Sequence, residues 1–170
     1  MALVIPEELK AKAEVWYGDE KGQERIRFFL REVEMPNALL SLKDIIECGY
    51  VKECGFVWVK QKTKSEHKFE KIGRLVTYAT EISAYVEKHK IRKLTGVKVK
   101  EFLLWINLVE IYAEEPHAER ITFKVIGGLS KTFPASAFVL ETKEIKEHNE
   151  VEKPKEIKEA IAVKDRKIQN

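Results

Sequence analysis

At 170 residues, the chain is long enough for one domain whose core needs no disulfide or metal to stabilise it. Apolar residues make up 44% and charged residues 35%, which is typical of a globular protein with a heavily charged surface or segment. The formal net charge of +3 is too small to indicate a nucleic-acid partner, and no run of about 18 apolar residues occurs that could span a membrane.

Residues 1–35 predict a helical segment that packs on the rest of the domain. Proline at position 6, followed by acids, is typical of a helix start, and apolar residues along one face extend this helix to about Tyr17. Gly18 and Gly22 then interrupt the helical pattern. A second helix follows and ends at Pro36, because a residue before proline avoids the α region. Its core-facing positions recur at the i, i+3, i+4, i+7 spacing: Ile26, Phe29, Leu30 and Val33.

From about Ile45 onward, the apolar pattern changes to the period of two that is typical of β-strands. Short polar turns separate these segments and no crossover helices lie between them, so an antiparallel sheet is favoured over a parallel one. We therefore expect residues 36–140 to form a mainly β domain, an antiparallel β-barrel or roll with one or two N-terminal helices, which is α+β by content. The clearest strands are expected at residues 55–62, 67–72, 76–86, 90–94, 121–125 and 131–140.

The run from residue 97 to residue 111 is apolar on both strand parities. Leu103 and Trp105 belong to one face of the expected strand, whereas Phe102 and Leu104 belong to the other. A strand with apolar residues on both faces is normally covered on both sides. We therefore expect the middle of this run to be buried.

Residues 141–170 differ from the rest of the chain in composition. They contain eight basic and eight acidic residues with isolated aliphatics, which favours a disordered tail over a weakly amphipathic helix. At the other end, the first residues have neither a basic n-region nor a cleavage site. Cys48 and Cys54 could pair, but two cysteines without a signal peptide are more typical of free thiols. We therefore expect a cytoplasmic protein.

Motifs for metal, phosphate and nucleotide chemistry are absent from the sequence. The four histidines stand singly, and neither a P-loop nor a dinucleotide-binding glycine motif occurs, so we expect no metal and no cofactor. The segment Gly128-Leu129-Ser130 resembles half of an esterase G-x-S-x-G elbow, but the second glycine and the following helix are missing. A hairpin turn that uses Gly127 and Gly128 for positive φ accounts for these residues, and no catalytic residue is assigned.

Two basic stretches, at residues 60–64 and 88–93, could form with Lys98 and Lys100 a patch for anionic lipid or RNA. Glutamates lie close to these lysines in the sequence. A solvated surface of mixed charge is therefore favoured, and no nucleic-acid partner is expected.

Bulky aromatic residues of the β region supply the candidate ligand site. We expect an apolar small molecule or a lipid to bind among Trp58, Tyr78, Trp105 and Phe123. This non-catalytic binding hypothesis requires a cavity of at least a few hundred Å³, and a core filled by its own side chains is the alternative. A hydrolase of a hydrophobic ester would instead need a histidine beside Ser130 or a cysteine. A protein-interaction module would use an exposed strand edge or the tail.

Five ordered motifs carry a family resemblance: MPNALL (35–40), ECGFVWVKQ (53–61), LTGVK (94–98), LLW (103–105) and GGLSKTFPASAF (127–138). Over about residues 24–140, the chain resembles the plant family called Domain of Unknown Function 538, although Ala38 and Ser41 replace a glycine and a proline of the family pattern. The resemblance implies a β-rich roll or barrel after a leading helix, a land-plant source and a leaderless, cytoplasmic type of member. It implies no established activity. Suggestions attached to the family are a likeness to lipid-binding bactericidal/permeability-increasing proteins, chlorophyll hydrolysis and a role in stress responses.

Overall fold

The computed structural model describes residues 4–114 and 119–139. Two α-helices lie in these ranges, α1 (Glu7–Lys12) and α2 (Asp19–Glu32), and a short 3-10 helix follows the last strand at Ala135–Phe138. The strands are β1 (Glu14–Tyr17), β2 (Ile45–Val51), β3 (Phe56–Gln61), β4 (Ser65–Phe69), β5 (Arg74–Glu87), β6 (Lys90–Glu101), β7 (Leu104–Ala113), β8 (Arg120–Val125) and β9 (Ser130–Pro134). The expected disorder of residues 141–170 lies outside the described residues.

The strands form a single antiparallel sheet in the order β1-β2-β3-β5-β6-β7-β8-β9. Strand β5 is long enough for β4 to pair with its first half and β3 with its second half. From β2 onward, the connections between consecutive strands are short and contain no helix, which is typical of an antiparallel arrangement. The predicted mainly β fold is confirmed. The described strands do not close into a ring, so the predicted barrel or roll is only loosely matched.

Helix α2 provides apolar cover for one face of the sheet. Its residues Ile26, Phe29 and Leu30 are buried in the main core cluster together with residues of β2, β3, β5 and β6. The predicted second helix and its core-facing positions are confirmed. Gly22, however, lies inside the helix and does not interrupt it. The helix packs so closely there that a Cβ on Gly22 would lie 2.4 Å from the Cγ2 of Ile45.

The 3-10 helix after β9 completes the same core with Phe138, which is fully buried. The ring of Phe138 lies 5.2 Å from that of Phe69 on β4 and 5.3 Å from that of Phe123 on β8, measured between ring centroids. The N–H of Ala38 donates a hydrogen bond to the Phe138 carbonyl (2.9 Å). The predicted strand 131–140 is therefore wrong for residues 135–139, since the ladder ends at Pro134, a residue without an N–H.

The first predicted helix is wrong beyond Lys12. Ala13 has an extended backbone, and the next four residues form β1, which pairs along its whole length with β2. Trp16 packs on the main core, whereas Val15 points to the opposite face and packs on a second, smaller cluster. Pairing with a strand about thirty residues later leaves no local signal in so short a segment. The second cluster consists of Ile5, Val51, Phe56 and Trp58.

Candidate functional site

The four predicted ligand-binding residues lie in three different parts of the described chain. Trp58 lies in the second cluster, where its Nε1–H donates to Glu47 Oε2 (2.8 Å). Tyr78 and Phe123 are buried in the main core, and the Tyr78 hydroxyl accepts a hydrogen bond from the N–H of Ser41 (3.3 Å). Burial raises the pKa of the Tyr78 hydroxyl. Trp105 is 39% exposed and belongs to neither cluster.

The main core contains an apolar cavity of about 40 Å³ between α2 and the sheet, with Leu30, Val59 and Leu94 among its lining residues. Sites for drug-sized ligands normally measure about 300–1,000 Å³. This cavity is far smaller, and none of the four predicted residues lines it. This one cavity is therefore too small to hold a drug-sized ligand.

Within the described residues, Ser130 and Cys48 lack the surroundings that a hydrolase nucleophile requires. Ser130 begins β9 directly after a turn in which Gly127 and Gly128 have φ values of 92° and 89°, so the predicted hairpin is confirmed. Within the described ranges, the Ser130 hydroxyl forms no hydrogen bond with a histidine. Both cysteines are free thiols, as predicted. Cys48 is buried, and burial raises its pKa to about 12, which keeps it in the unreactive thiol form.

The two most exposed large apolar residues of the described chain lie at one end of the sheet. Phe102 and Leu103 form the β6–β7 turn and are 93% and 89% exposed, and the residues that follow them are also open to solvent. The expectation that the middle of the run 97–111 is buried is therefore wrong. We call this surface the apolar tip and define it as Phe102, Leu103, Leu104, Trp105, Ile126 and Leu129.

A tight turn holds the centre of the apolar tip. The β6–β7 ladder continues to the pair Glu101 and Leu104, so the turn contains only Phe102 and Leu103. Phe102 has a φ of 56°, in the left-handed region that glycine, asparagine or aspartate normally occupies in such hairpins. Because the sequence has none of these residues here, turn chemistry gave no sign of the break. The four consecutive apolar residues after a strand of alternating lysines were the available signal.

The β8–β9 turn adds Ile126 and Leu129 to the same end of the sheet. The N–H of Ile126 donates to the carbonyl of Asn107 (2.9 Å), and Val125 pairs with Leu108. Since β7 starts only three residues before Asn107, the two turns are neighbours. An exposed apolar surface built from two adjacent turns is more typical of an interaction site than of scattered surface residues.

An ion-pair junction lies beneath the apolar tip. Glu101, whose side chain is 17% exposed, has one carboxylate oxygen 2.9 Å from Arg74 Nε and the other 2.9 Å from Lys131 Nζ. These three residues belong to β6, β5 and β9. The junction therefore ties together three strands at the base of the tip.

Basic residues surround the apolar tip. The segments 68–74, 98–105 and 124–134 lie at this end of the sheet because Arg74 contacts Glu101 and β8 pairs with the start of β7. They contain seven basic and two acidic residues, an excess of five positive charges, whereas the whole chain has an excess of three. The Lys100 ammonium lies 5.6 Å from the centre of the Trp105 ring. We call these bases the basic rim: Lys68, Lys71, Arg74, Lys98, Lys100, Lys124 and Lys131.

Other kinds of site have little support in residues 4–114 and 119–139. No three or more His, Cys, Asp and Glu side chains cluster there in a way that could hold a metal ion. The helices of these ranges are too short or too polar to cross a bilayer. The apolar tip with its basic rim is thus the best-defined candidate site of the described chain.

Fold and surface together define the class: an open antiparallel β-sheet protein, covered by one helix and exposing an apolar tip between basic residues. A family model described as "Protein of unknown function, DUF538" matches residues 26–139, so the chain belongs to that family. The matched region includes both turns of the apolar tip. No curated protein and no solved structure matches the chain.

Proposed function

We propose that this protein is a non-catalytic binding module that attaches to the surface of an anionic lipid bilayer through the apolar tip. The observation that supports the proposal is the exposed turn Phe102-Leu103, which projects between basic residues. The proposal keeps the lipid as the expected partner and moves its site from the interior to the end of the sheet. Of the four residues first considered, only Trp105 belongs to the proposed site.

Transfer of the exposed apolar side chains out of water favours attachment to the bilayer. Moving a large apolar side chain out of water contributes about 1.5–3 kcal/mol when it is fully buried. The side chains of Phe102, Leu103 and Leu104 can enter the outer part of a bilayer while the ladder pair behind the turn keeps its backbone hydrogen bonds. Trp105 stands at the base of the turn, at the depth where tryptophan side chains are enriched in membrane proteins.

The positive charges around the apolar tip determine which lipids are favoured. Each lysine or arginine close to an anionic bilayer contributes about 1 kcal/mol, so an excess of five positive charges around the tip favours acidic headgroups. The same charges limit how deeply the tip enters the bilayer, because Lys100 and Glu101 follow directly behind the turn. We expect shallow, reversible and salt-sensitive attachment.

The cytoplasmic location expected from the sequence is part of this proposal. The cytoplasmic leaflet is the one that carries anionic lipids and a negative surface potential. Two free thiols, one of them exposed at Cys54, suit a reducing compartment. Both features support a peripheral protein of the cytoplasmic side.

Vesicle co-sedimentation tests the proposal. We expect the full chain to pellet with vesicles of phosphatidylcholine and phosphatidylserine and to remain largely in the supernatant with phosphatidylcholine alone. The double variant Phe102→Ser/Leu103→Ser should lower the partition coefficient by about tenfold or more, since about 1.4 kcal/mol corresponds to a factor of ten. Raising the salt concentration should weaken binding of the unaltered chain.

The matched control is Ile46→Ser, which removes an exposed apolar side chain from β2, three strands away from β6 in the sheet order. This variant should bind anionic vesicles as the unaltered chain does. If the double variant and the control bind equally well, or if the unaltered chain binds neither kind of vesicle, the proposal is wrong. Self-association through the tip without vesicle binding would be such a result.

A further inference from the structure

A second concave surface lies on the outer face of the sheet, away from α2. It is a cleft of about 320 Å³ lined by Lys90, Glu110, Tyr112, Lys124, Gly128 and Ser130. Its volume is eight times that of the apolar cavity and lies within the range of about 300–1,000 Å³ that small-molecule sites occupy. No residue of the apolar tip lines it.

Strand register brings these side chains together. Lys90 is paired with Tyr112, Glu110 with Lys124, and Lys124 with Ser130. Directly opposite residues of antiparallel strands point to the same face, and so do residues two apart on one strand. Four adjacent strands, β6 to β9, therefore present polar groups to one cleft.

The charge of the cleft is positive. Lys90 Nζ lies 3.7 Å from Glu110 Oε1, so these two side chains largely neutralise each other. Lys124 forms no ion pair within the described ranges, and the hydroxyls of Tyr112 and Ser130 have no hydrogen-bond partner there. One ammonium and two hydroxyl groups are thus available as donors.

These donors indicate the class of ligand. A metal ion would need more than one carboxylate, and Glu110 is already paired with Lys90. The lining of the cleft is polar and therefore does not suit an apolar molecule. A phosphate group presents three strong acceptor oxygens, and charge-assisted bonds from an ammonium are the stronger kind.

We propose that the cleft binds a small molecule that carries a phosphate group, through Lys124, Tyr112 and Ser130. The group belongs either to a free phosphorylated compound or to the headgroup of a phospholipid, since Lys124 and Gly128 flank Ile126 of the apolar tip in the sequence. This proposal does not depend on bilayer attachment through the tip. It gives Ser130 a binding role in place of a nucleophilic one.

Titrations of the full chain, followed by ¹H–¹⁵N chemical shifts, test the proposal with glycerol 3-phosphate as the soluble probe. We expect saturable shifts at the six cleft residues. Lys124→Gln should weaken the affinity by about tenfold or more, and Tyr112→Phe, which removes only the hydroxyl, by a few-fold. Lys52→Gln is the matched control, because Lys52 is an exposed lysine of the β2–β3 turn, outside the cleft.

A second arm separates the two sources of phosphate. Vesicles that contain phosphatidic acid are titrated with the unaltered chain, Tyr112→Phe and Lys52→Gln. Saturable binding of the soluble probe that weakens in the cleft variants supports a free ligand. Vesicle binding that weakens in Tyr112→Phe, without binding of the soluble probe, supports a lipid headgroup. If neither arm shows an effect of the cleft variants beyond that of Lys52→Gln, the proposal is wrong.

Discussion

The main core and the apolar tip are both rich in aromatic and aliphatic residues, yet the described elements cover the core and leave the tip open. Phe138 lies at the centre of the core, in contact with rings from β4 and β8. Phe102 lies at the end of the same sheet with 93% of its surface exposed. The difference is not hydrophobicity but the presence of a covering element: α2 and the 3-10 helix pack over the core, and none of the described elements packs over the tip.

This contrast distinguishes an apolar residue that stabilises the fold from one that is available for binding. Phe138 is needed for stability, because its removal would leave a cavity among well-packed rings. Phe102 contributes little to the folded chain by itself and is held in a left-handed turn conformation that costs free energy. A costly and exposed apolar residue is better explained by binding than by folding.

The largest expected effect on the free energy of unfolding is the difference between truncating Phe138 and truncating Phe102. Phe138→Ala should lower the free energy of unfolding by about 3–5 kcal/mol, because the ring is fully buried. Phe102→Ala should change it by no more than about 0.5 kcal/mol, because the ring is exposed. Urea unfolding followed by circular dichroism measures both. Equal losses for the two variants would show that the tip is packed against the protein.

An intermediate effect is expected at the ion-pair junction that joins the two regions. Glu101→Gln leaves Arg74 and Lys131 without their shared carboxylate and should lower the free energy of unfolding by about 1–2 kcal/mol. Glu53→Gln is the control, since Glu53 and its partner Lys12 are both well exposed and such pairs contribute little. A loss no greater in Glu101→Gln than in Glu53→Gln would contradict the role given to the junction.

The smallest effect concerns Cys48, which the core protects, and Cys54, which it does not. At pH 8, a thiol reagent should modify Cys54 rapidly in the folded chain and reach Cys48 only after unfolding in urea. Cys54→Ser should abolish the rapid phase. Rapid reaction of two thiols in the folded chain would contradict the assigned burial of Cys48.

The raised pKa of Cys48 also sets a pH dependence. Burial raises the pKa from the ordinary 9.0 to about 12, so the folded chain holds this proton more tightly than the unfolded chain. The raised pKa of Cys48 therefore contributes to the free energy of unfolding. This contribution is fully present below pH 9 and is lost as the pH rises toward 12. Urea unfolding at increasing pH, compared with a Cys48→Ala variant, measures this contribution.

The covered region was largely predictable from the sequence, because its patterns match its surroundings. The i, i+3, i+4, i+7 spacing of Ile26, Phe29 and Leu30 reflects a helix with one buried side. The apolar alternation that includes Val76 and Tyr78 reflects a strand that directs these side chains into the main core. Both patterns are local, so a short window of sequence contains them.

The candidate site was not predictable in the same way. The apolar residues around Phe102 were expected to be buried because they are hydrophobic. Hydrophobicity alone, however, does not show whether another element covers a segment. The turn itself lacks the residues that normally mark a hairpin. Strand β1 was missed because its pairing with β2 depends on contacts distant in sequence.

The depth of a spin label at position 103 tests the central claim most directly. Leu103→Cys and, as the control, Ile46→Cys are labelled in a Cys54→Ser background, where the remaining Cys48 is buried. With anionic vesicles, the label at position 103 should become more accessible to oxygen and less accessible to a water-soluble nickel complex, while the label at position 46 should not change. Equal accessibility at the two positions, with and without vesicles, would contradict insertion of the apolar tip.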